Sequence, residues 1–172
     1  MAWNKIVTEV LKVDYPIIQA PMLGVSTPEM AAAVSNEGGL GSLAVGGLSP
    51  DITRQLIRRT KSLTEKPFAV NLFAHQIRAY TDDEVEAMRT LLLQLAKKRG
   101  YDLAAADLTN FSFYNHLDQI HILIEDNISL VSFPFGCLDR DSIRALKQNG
   151  CTLIEPQLVW RKRCICSSRI LT

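Results

Sequence analysis

What this chain lacks narrows it before any motif is read. Lys and Arg number 19 against 18 Asp and Glu, for a net charge of +1, so nothing in the charge balance argues for nucleic acid or an anionic membrane as partner. No stretch approaches the roughly 18 consecutive apolar residues that would cross a bilayer. The N-terminal MAWNKIVTEVLKV has no apolar core long enough for a signal peptide, and a soluble, cytoplasmic protein is the default expectation. Cysteine is scarce and poorly spaced for chemistry: Cys137, Cys151, Cys164 and Cys166 form no CxxC pair, so neither a metal site nor a structural disulfide is expected. Histidine is confined to His75, His116 and His121, and there is no internal repeat or low-complexity tract. What is present is ordinary globular material, 172 residues with 47% hydrophobic content, enough to bury the core of one domain.

The most informative stretch is Tyr15 to Gly41, YPIIQAPMLGVSTPEMAAAVSNEGGLG. Ile17 and Ile18 start an apolar, buried strand that breaks at Pro21. Met22 to Pro28 reads as a loop, with Ser26 or Thr27 placed to cap a helix, Pro28 suited to its first turn and Glu29 at its positive end. The helix is predicted to run to about Asn36; Gly38 and Gly39 end it, and Leu40 to Val45 resumes as a strand. A strand, helix, strand unit of this kind belongs in a parallel α/β sheet or barrel.

The alternation continues. Leu48-Ser49-Pro50-Asp51 opens an amphipathic helix that ends near Thr64, and Lys66 to Phe73, KPFAVNLF, reads as a strand covered on both faces, with Asn71 its polar exception. Asp82 or Asp83 is expected to cap a helix from about Glu84 to Arg99, stopped by Gly100. Tyr101 to Tyr114 carries no regular signal and reads as an insertion. His116 to Glu125 is a further helix, Ile128 to Phe133 a strand, Asp139 to Gln148 a helix, and Cys151 to Ile154 the start of a fifth strand. This order predicts parallel strands joined by right-handed crossovers.

Several stretches together resemble the N-terminal half of the nitronate monooxygenases, flavoenzymes also called 2-nitropropane dioxygenases. They are Pro16 to Met22, PIIQAPM; the helix and turn Ala31 to Gly41; Lys66 to Phe73; and Ser132 to Gly136, SFPFG, in the expected order. The resemblance implies an FMN-type (β/α)8 barrel with an inserted smaller domain, of which about the first four to five βα units are represented, and FMN at the C-terminal ends of the strands. On that basis Ala20, Pro21 and Met22 would line the flavin ring, Gly24 would let the backbone approach closely, and Asn71 would hydrogen-bond the flavin through its amide. Backbone groups, an amide and a thioether suit a ring whose edge is polar and whose faces are apolar. Read without the family, Met22 is core filling and Asn71 satisfies a turn. The FMN-dependent enoyl reductase of fatty acid synthesis shares the Gly-Gly-Leu-Gly pattern and is the competing enzyme, with IMP dehydrogenase a more distant barrel; the pairing of QAPM with VNLFAH favours nitronate monooxygenase.

The resemblance also implies a substrate, an alkyl nitronate, oxidised by O2 to a carbonyl compound and nitrite after electron transfer into FMN. The histidine base that family members use on neutral nitroalkanes lies in a Gly-Gly-His motif, which this sequence does not contain, so no catalytic residue is assigned. His75 follows a strand and could face the substrate side or serve at the surface or a cap. His116 and His121 are expected to be solvent-facing or packed. Barrels of this kind grip phosphate with loops after the seventh and eighth strands, and those strands are not represented.

From Glu155 to Thr172, EPQLVWRKRCICSSRILT, the sequence changes character, with four basic residues against one acid. Residues 1–154 are therefore expected to be the family-like part and 155–172 a foreign basic tail. One choice of synonymous codons for Ile154 through Arg163 becomes, on restoring a single G after the isoleucine, Ile-Gly-Thr-Ala-Thr-Ser-Val-Glu-Glu-Ala-Val, a family-like turn and helix start. A one-base deletion near codon 155 is thus the expectation, with a natural tail as the alternative; the coding DNA distinguishes them. The functional readings are an FMN-dependent nitronate monooxygenase by lineage, a non-catalytic remnant with possible self-association through exposed sheet edges, or a small flavin-binding module.

Overall fold

The computed structural model describes residues 5–75, 78–102 and 114–155. All but the first residue of the foreign tail expected at 155–172, and most of the irregular stretch 101–114, lie outside them. The chain divides into two compact units, one formed by Met1–Gln76 with Tyr114–Thr172 and the other by Ile77–Phe113.

The first unit is built on a parallel sheet of β1 (Gly41–Ala44), β2 (Phe68–Asn71), β3 (Leu130–Ser132) and β4 (Thr152–Ile154), in the spatial order β1-β2-β3-β4. Helices α2 (Pro28–Asn36), α3 (Pro50–Lys61), α5 (His116–Glu125) and α6 (Arg140–Gln148) belong to the same unit, and α1 (Lys5–Leu11) precedes them. Parallel strands that neighbour one another in chain order, each led into by a helix, are the repeating unit of a (β/α)8 barrel, and the sheet is part of such a barrel.

The start signals act locally as expected. Thr27 Oγ1 accepts from Met30 N and Pro28 occupies the first turn of α2. Ser49 caps α3, Asn115 caps α5 in a reciprocal box with Asp118, and Asp139 caps α6. In the second unit α4 (Asp82–Lys98) is capped by Thr81, not by Asp82 or Asp83. Thr81 and Glu84 lie three apart, so hydroxyl and carboxylate each satisfy the other's backbone N–H, an arrangement neither aspartate can match from inside the helix. Of the apolar residues of α4, Val85, Met88, Leu91, Leu92 and Leu95 are exposed.

One expectation for the N-terminal region is corrected, and one helix is added to it. The predicted buried strand at Ile17 and Ile18 is a single parallel bridge, Ile18 to Leu40, with both isoleucines exposed, 55% and 47%. Pro16 and Pro21 lack the N–H a ladder needs, and Gln19 replaces the next backbone bonds: its Oε1 accepts from Ser42 N and its Nε2 donates to Ser42 O. The unpredicted α1 is seven residues long and has no acidic residue in its first turn; tertiary packing holds it, with Leu11 against Leu40, Ala69 and Leu130.

Strand periodicity assigns the faces. Leu43, Val45, Val70, Leu72, Val131 and Phe133 join Ile57, Ile120, Leu123 and Leu146 of the helices in the main core. The opposite face carries Leu40, Ala69 and Leu130, covered by α1. Asn71, two residues after Ala69, faces the same side as Ala69. Gly41 lets α2 sit directly on the sheet, since an added Cβ would lie 1.9 Å from Ala31 O.

Candidate functional site

Register brings Ala44, Asn71, Ser132 and Ile154 into one row across the C-terminal edge of the sheet. Asn71 is 4% exposed, and its Nδ2 donates to Ser132 Oγ at 2.9 Å and more weakly to Ser132 O at 3.4 Å. A buried amide on the barrel-interior face, tied to the neighbouring strand rather than to a turn, is oriented before any ligand arrives.

The loop carrying Ala20, Pro21, Met22 and Gly24 lies at the end of the bridge segment. Ser26 organises it. Its Oγ donates to Ala20 O at 3.2 Å and accepts from Met22 N at 2.9 Å and from Gln19 Nε2 at 3.1 Å. Met22 is 49% exposed, so it does not fill the core. Gly24 has φ +80, and a Cβ there would meet nothing within 4 Å; the glycine is required by the turn, and the space before it is open. Sequence reasoning missed the roles of Gln19 and Ser26. Gln19 was within reach as the one polar residue of IIQAPM, whereas Ser26 looked like a helix cap.

Beyond Asn71, Phe73 packs edge-on against Phe135 with ring centroids 5.2 Å apart and lies 5.9 Å from the His75 ring. Gly46 is pressed onto the Phe73 ring, where a Cβ would approach to 2.4 Å. Phe135 is exposed at φ +65, and Gly136 follows it at φ +140 beside Ala74 O. His75, half-buried at the strand end, is therefore on the ring cluster and not remote from it.

Of the other histidines, His121 is exposed and His116 is buried. His116 Nε2 lies 3.0 Å from Asp139 Oδ2, and Ser142 donates to the same carboxylate through both Oγ and backbone N. Burial pushes the Asp139 carboxyl up, but the bonds from Ser142 and His116 outweigh it and hold it well below the usual carboxylate range. Gln119, fully buried one turn along α5 from His116, donates Nε2 to Val45 O, Leu48 O and Thr53 Oγ1. Neither contact has a sequence signature. Cys151 is buried with its thiol donating to Ile128 O. No group of His, Cys, Asp and Glu suited to a metal occurs among the described residues, and no helix among them is long and apolar enough to cross a membrane.

A partial parallel barrel with a polar row at the C-terminal edge of its sheet fits many enzymes, and likeness to known proteins narrows the choice. The family model for nitronate monooxygenase matches residues 4–157. The chain belongs to the nitronate monooxygenase family. It is 43% identical over 145 residues to a nitronate monooxygenase of Pseudomonas aeruginosa, covering 83% of this chain and 41% of that one. It is 38% identical over 148 residues to a probable nitronate monooxygenase of Staphylococcus saprophyticus, covering 86% and 41%. Among solved structures, nitroalkane oxidase from Streptomyces ansochromogenes superposes with a TM-score of 0.70 at 35% identity, covering 87% of this chain and 41% of that one. FabK from Thermotoga maritima gives 0.60 at 26%, covering 90% and 37%. The chain thus spans about two fifths of the curated relatives it matches.

Proposed function

We propose that this chain forms the ring-binding wall of an FMN site in an enzyme lineage that oxidises alkyl nitronates with O2 to a carbonyl compound and nitrite. The observation that carries the reading is the loop Ala20–Met22, held by Ser26 beside open space at Gly24, together with the pre-oriented amide of Asn71. These residues fit a flavin ring: Met22 and Pro21 offer apolar surface to its faces, and Asn71 a polar group to its edge. FMN, when bound, would supply the redox chemistry; the residues of this chain would position the ring and exclude water from it. His75, half-buried against Phe73, is not assigned as a base. Family membership and the likeness to nitroalkane oxidase favour nitronates over the enoyl reductase alternative.

The sequence holds no Gly-Gly-His motif, and we propose that the chain by itself binds FMN weakly and does not turn over nitronates. Titrating FMN into the purified protein, with flavin fluorescence and nitronate-dependent oxygen uptake as readouts, tests both parts. Undetectable binding would overturn the site, and stoichiometric flavin with turnover would overturn the inactivity. The exposed Ile17 and Ile18, at a segment bonded to the sheet by one bridge, favour self-association along that edge, which sedimentation velocity would reveal.

A further inference from the structure

The loop after β1 is short, glycine-rich and held from a distant helix. Val45 to Leu48 is a tight turn closed by Leu48 N donating to Val45 O at 3.0 Å, with Gly47 at φ +82 in its third position, the left-handed conformation a type II turn requires there. On one side Gly46 rests on the Phe73 ring. On the other, Gln119 Nε2 reaches Val45 O at 2.6 Å and Leu48 O at 2.9 Å, the first and last carbonyls of the turn, and Thr53 Oγ1 in the first half of α3 at 3.1 Å.

The same face of α5 carries His116, joined to Asp139 where α6 begins, just after the Pro134–Gly136 loop that leaves β3. A single helix thus fastens the loop after β1 to the start of the helix that follows β3, and β2, with Asn71 at its end and Phe73 two residues on, runs between those strands. Two buried atoms of this network, Gln119 Oε1 and His116 Nδ1, have no hydrogen-bond partner among the described residues. An apolar side chain of the same volume would take from Val45 O and Leu48 O the bonds that the amide gives them, so the amide serves the turn and not packing alone.

We propose that Gln119 is a positioning residue for the ring-binding wall: from α5 it fixes the Val45–Leu48 turn, and with the His116–Asp139 pair it locks that turn to the start of α6. What the wall receives rests on the FMN reading above; the clamp itself does not.

Gln119→Met, which keeps the volume and removes the amide, tests it through amide hydrogen exchange and FMN titration of the full chain. The Leu48 amide is expected to exchange about tenfold faster relative to Val70 in β2, the scale of one net hydrogen bond, with FMN affinity falling by a similar factor. Equal acceleration at Leu48 and Val70, or none at Leu48, would overturn the clamp. Faster exchange at Leu48 with unchanged FMN affinity would overturn the positioning role. Failure of the unsubstituted chain to bind FMN would sink the ligand reading alone, since the exchange comparison still decides the clamp. Should Gln119→Met not fold, exchange in the unsubstituted protein at low urea decides: Leu48 opening together with Leu123 of α5 supports the clamp, and Leu48 exchanging like an exposed loop refutes it.

Discussion

Substituting Gly41→Ala asks whether the seat of α2 on the sheet is as rigid as its geometry requires. An added Cβ would lie 1.9 Å from Ala31 O, 2.6 Å from Ala31 C and 2.8 Å from Ala31 Cα. All three are backbone atoms, so no rotamer change relieves the overlap, and α2 must move outward by more than an ångström to restore van der Waals contact. That movement pulls on Ser35, whose Oγ donates to Pro67 O at 2.8 Å and accepts from Gly41 N at 3.1 Å. Overpacking alone costs about 1–3 kcal/mol, and parting a buried hydroxyl from its partners adds roughly 1–3 kcal/mol. The expected loss is therefore about 2–6 kcal/mol, a large part of the roughly 5–15 kcal/mol that stabilises an ordinary domain. Urea unfolding followed by circular dichroism measures it as a shift in midpoint at constant slope. Gly24→Ala is the control: its Cβ meets nothing within 4 Å, and only the φ of +80 opposes it, at about 1–2 kcal/mol. If Gly41→Ala proved no more harmful than Gly24→Ala, the argument from close backbone approach would be wrong.

Ser26→Ala removes the hydroxyl that binds Ala20 O, Met22 N and Gln19 Nε2; a stability loss of about 1–2 kcal/mol and roughly tenfold weaker FMN binding are expected, and unchanged flavin fluorescence titrations would remove Ser26 from the site. Asp139 has a folded-state pKa below its ordinary 3.8, so its contribution is present above pH 3.8 and is lost as pH falls below that value towards the folded pKa. Asp139→Asn, which retains a capping side chain, should therefore flatten the acid limb of the stability curve below about pH 4 while leaving its shape near neutrality; an unaltered acid limb counts against the assignment. Burial pushes the Cys151 thiol up, against a smaller opposing effect of Asn149, so the thiolate is scarce at neutral pH. Peptide mapping after brief iodoacetamide treatment should find Cys151 unmodified in native protein and modified in urea; rapid native labelling would show that the core at Ile128 is open.

How far the sequence could be read follows the range of the forces involved. The helices announced themselves through neighbours in the chain: Thr27 and Pro28 at α2, Ser49 and Pro50 at α3, Asp139 at α6. Apolar runs such as AVNLF placed β2 and with it Asn71 at a strand end. The same local logic misplaced the cap of α4, because Asp82 and Asp83 hid the Thr81–Glu84 pair. It also mistook Ile17 and Ile18 for a buried strand, since hydrophobicity does not say whether a neighbouring strand arrives to cover them.

By itself, the sequence determined the family, the parallel α/β class and the residues proposed to face a flavin, because those depend on short motifs and periodicities of two and 3.6 residues. Tertiary structure alone decided how that face is held. Gln19 substitutes for backbone in pairing with Ser42, 23 positions away, and Gln119 clamps Val45 across 74. Contacts of that separation leave no periodic trace, since a buried amide is placed by the packing of whole elements and not by its neighbours in the chain.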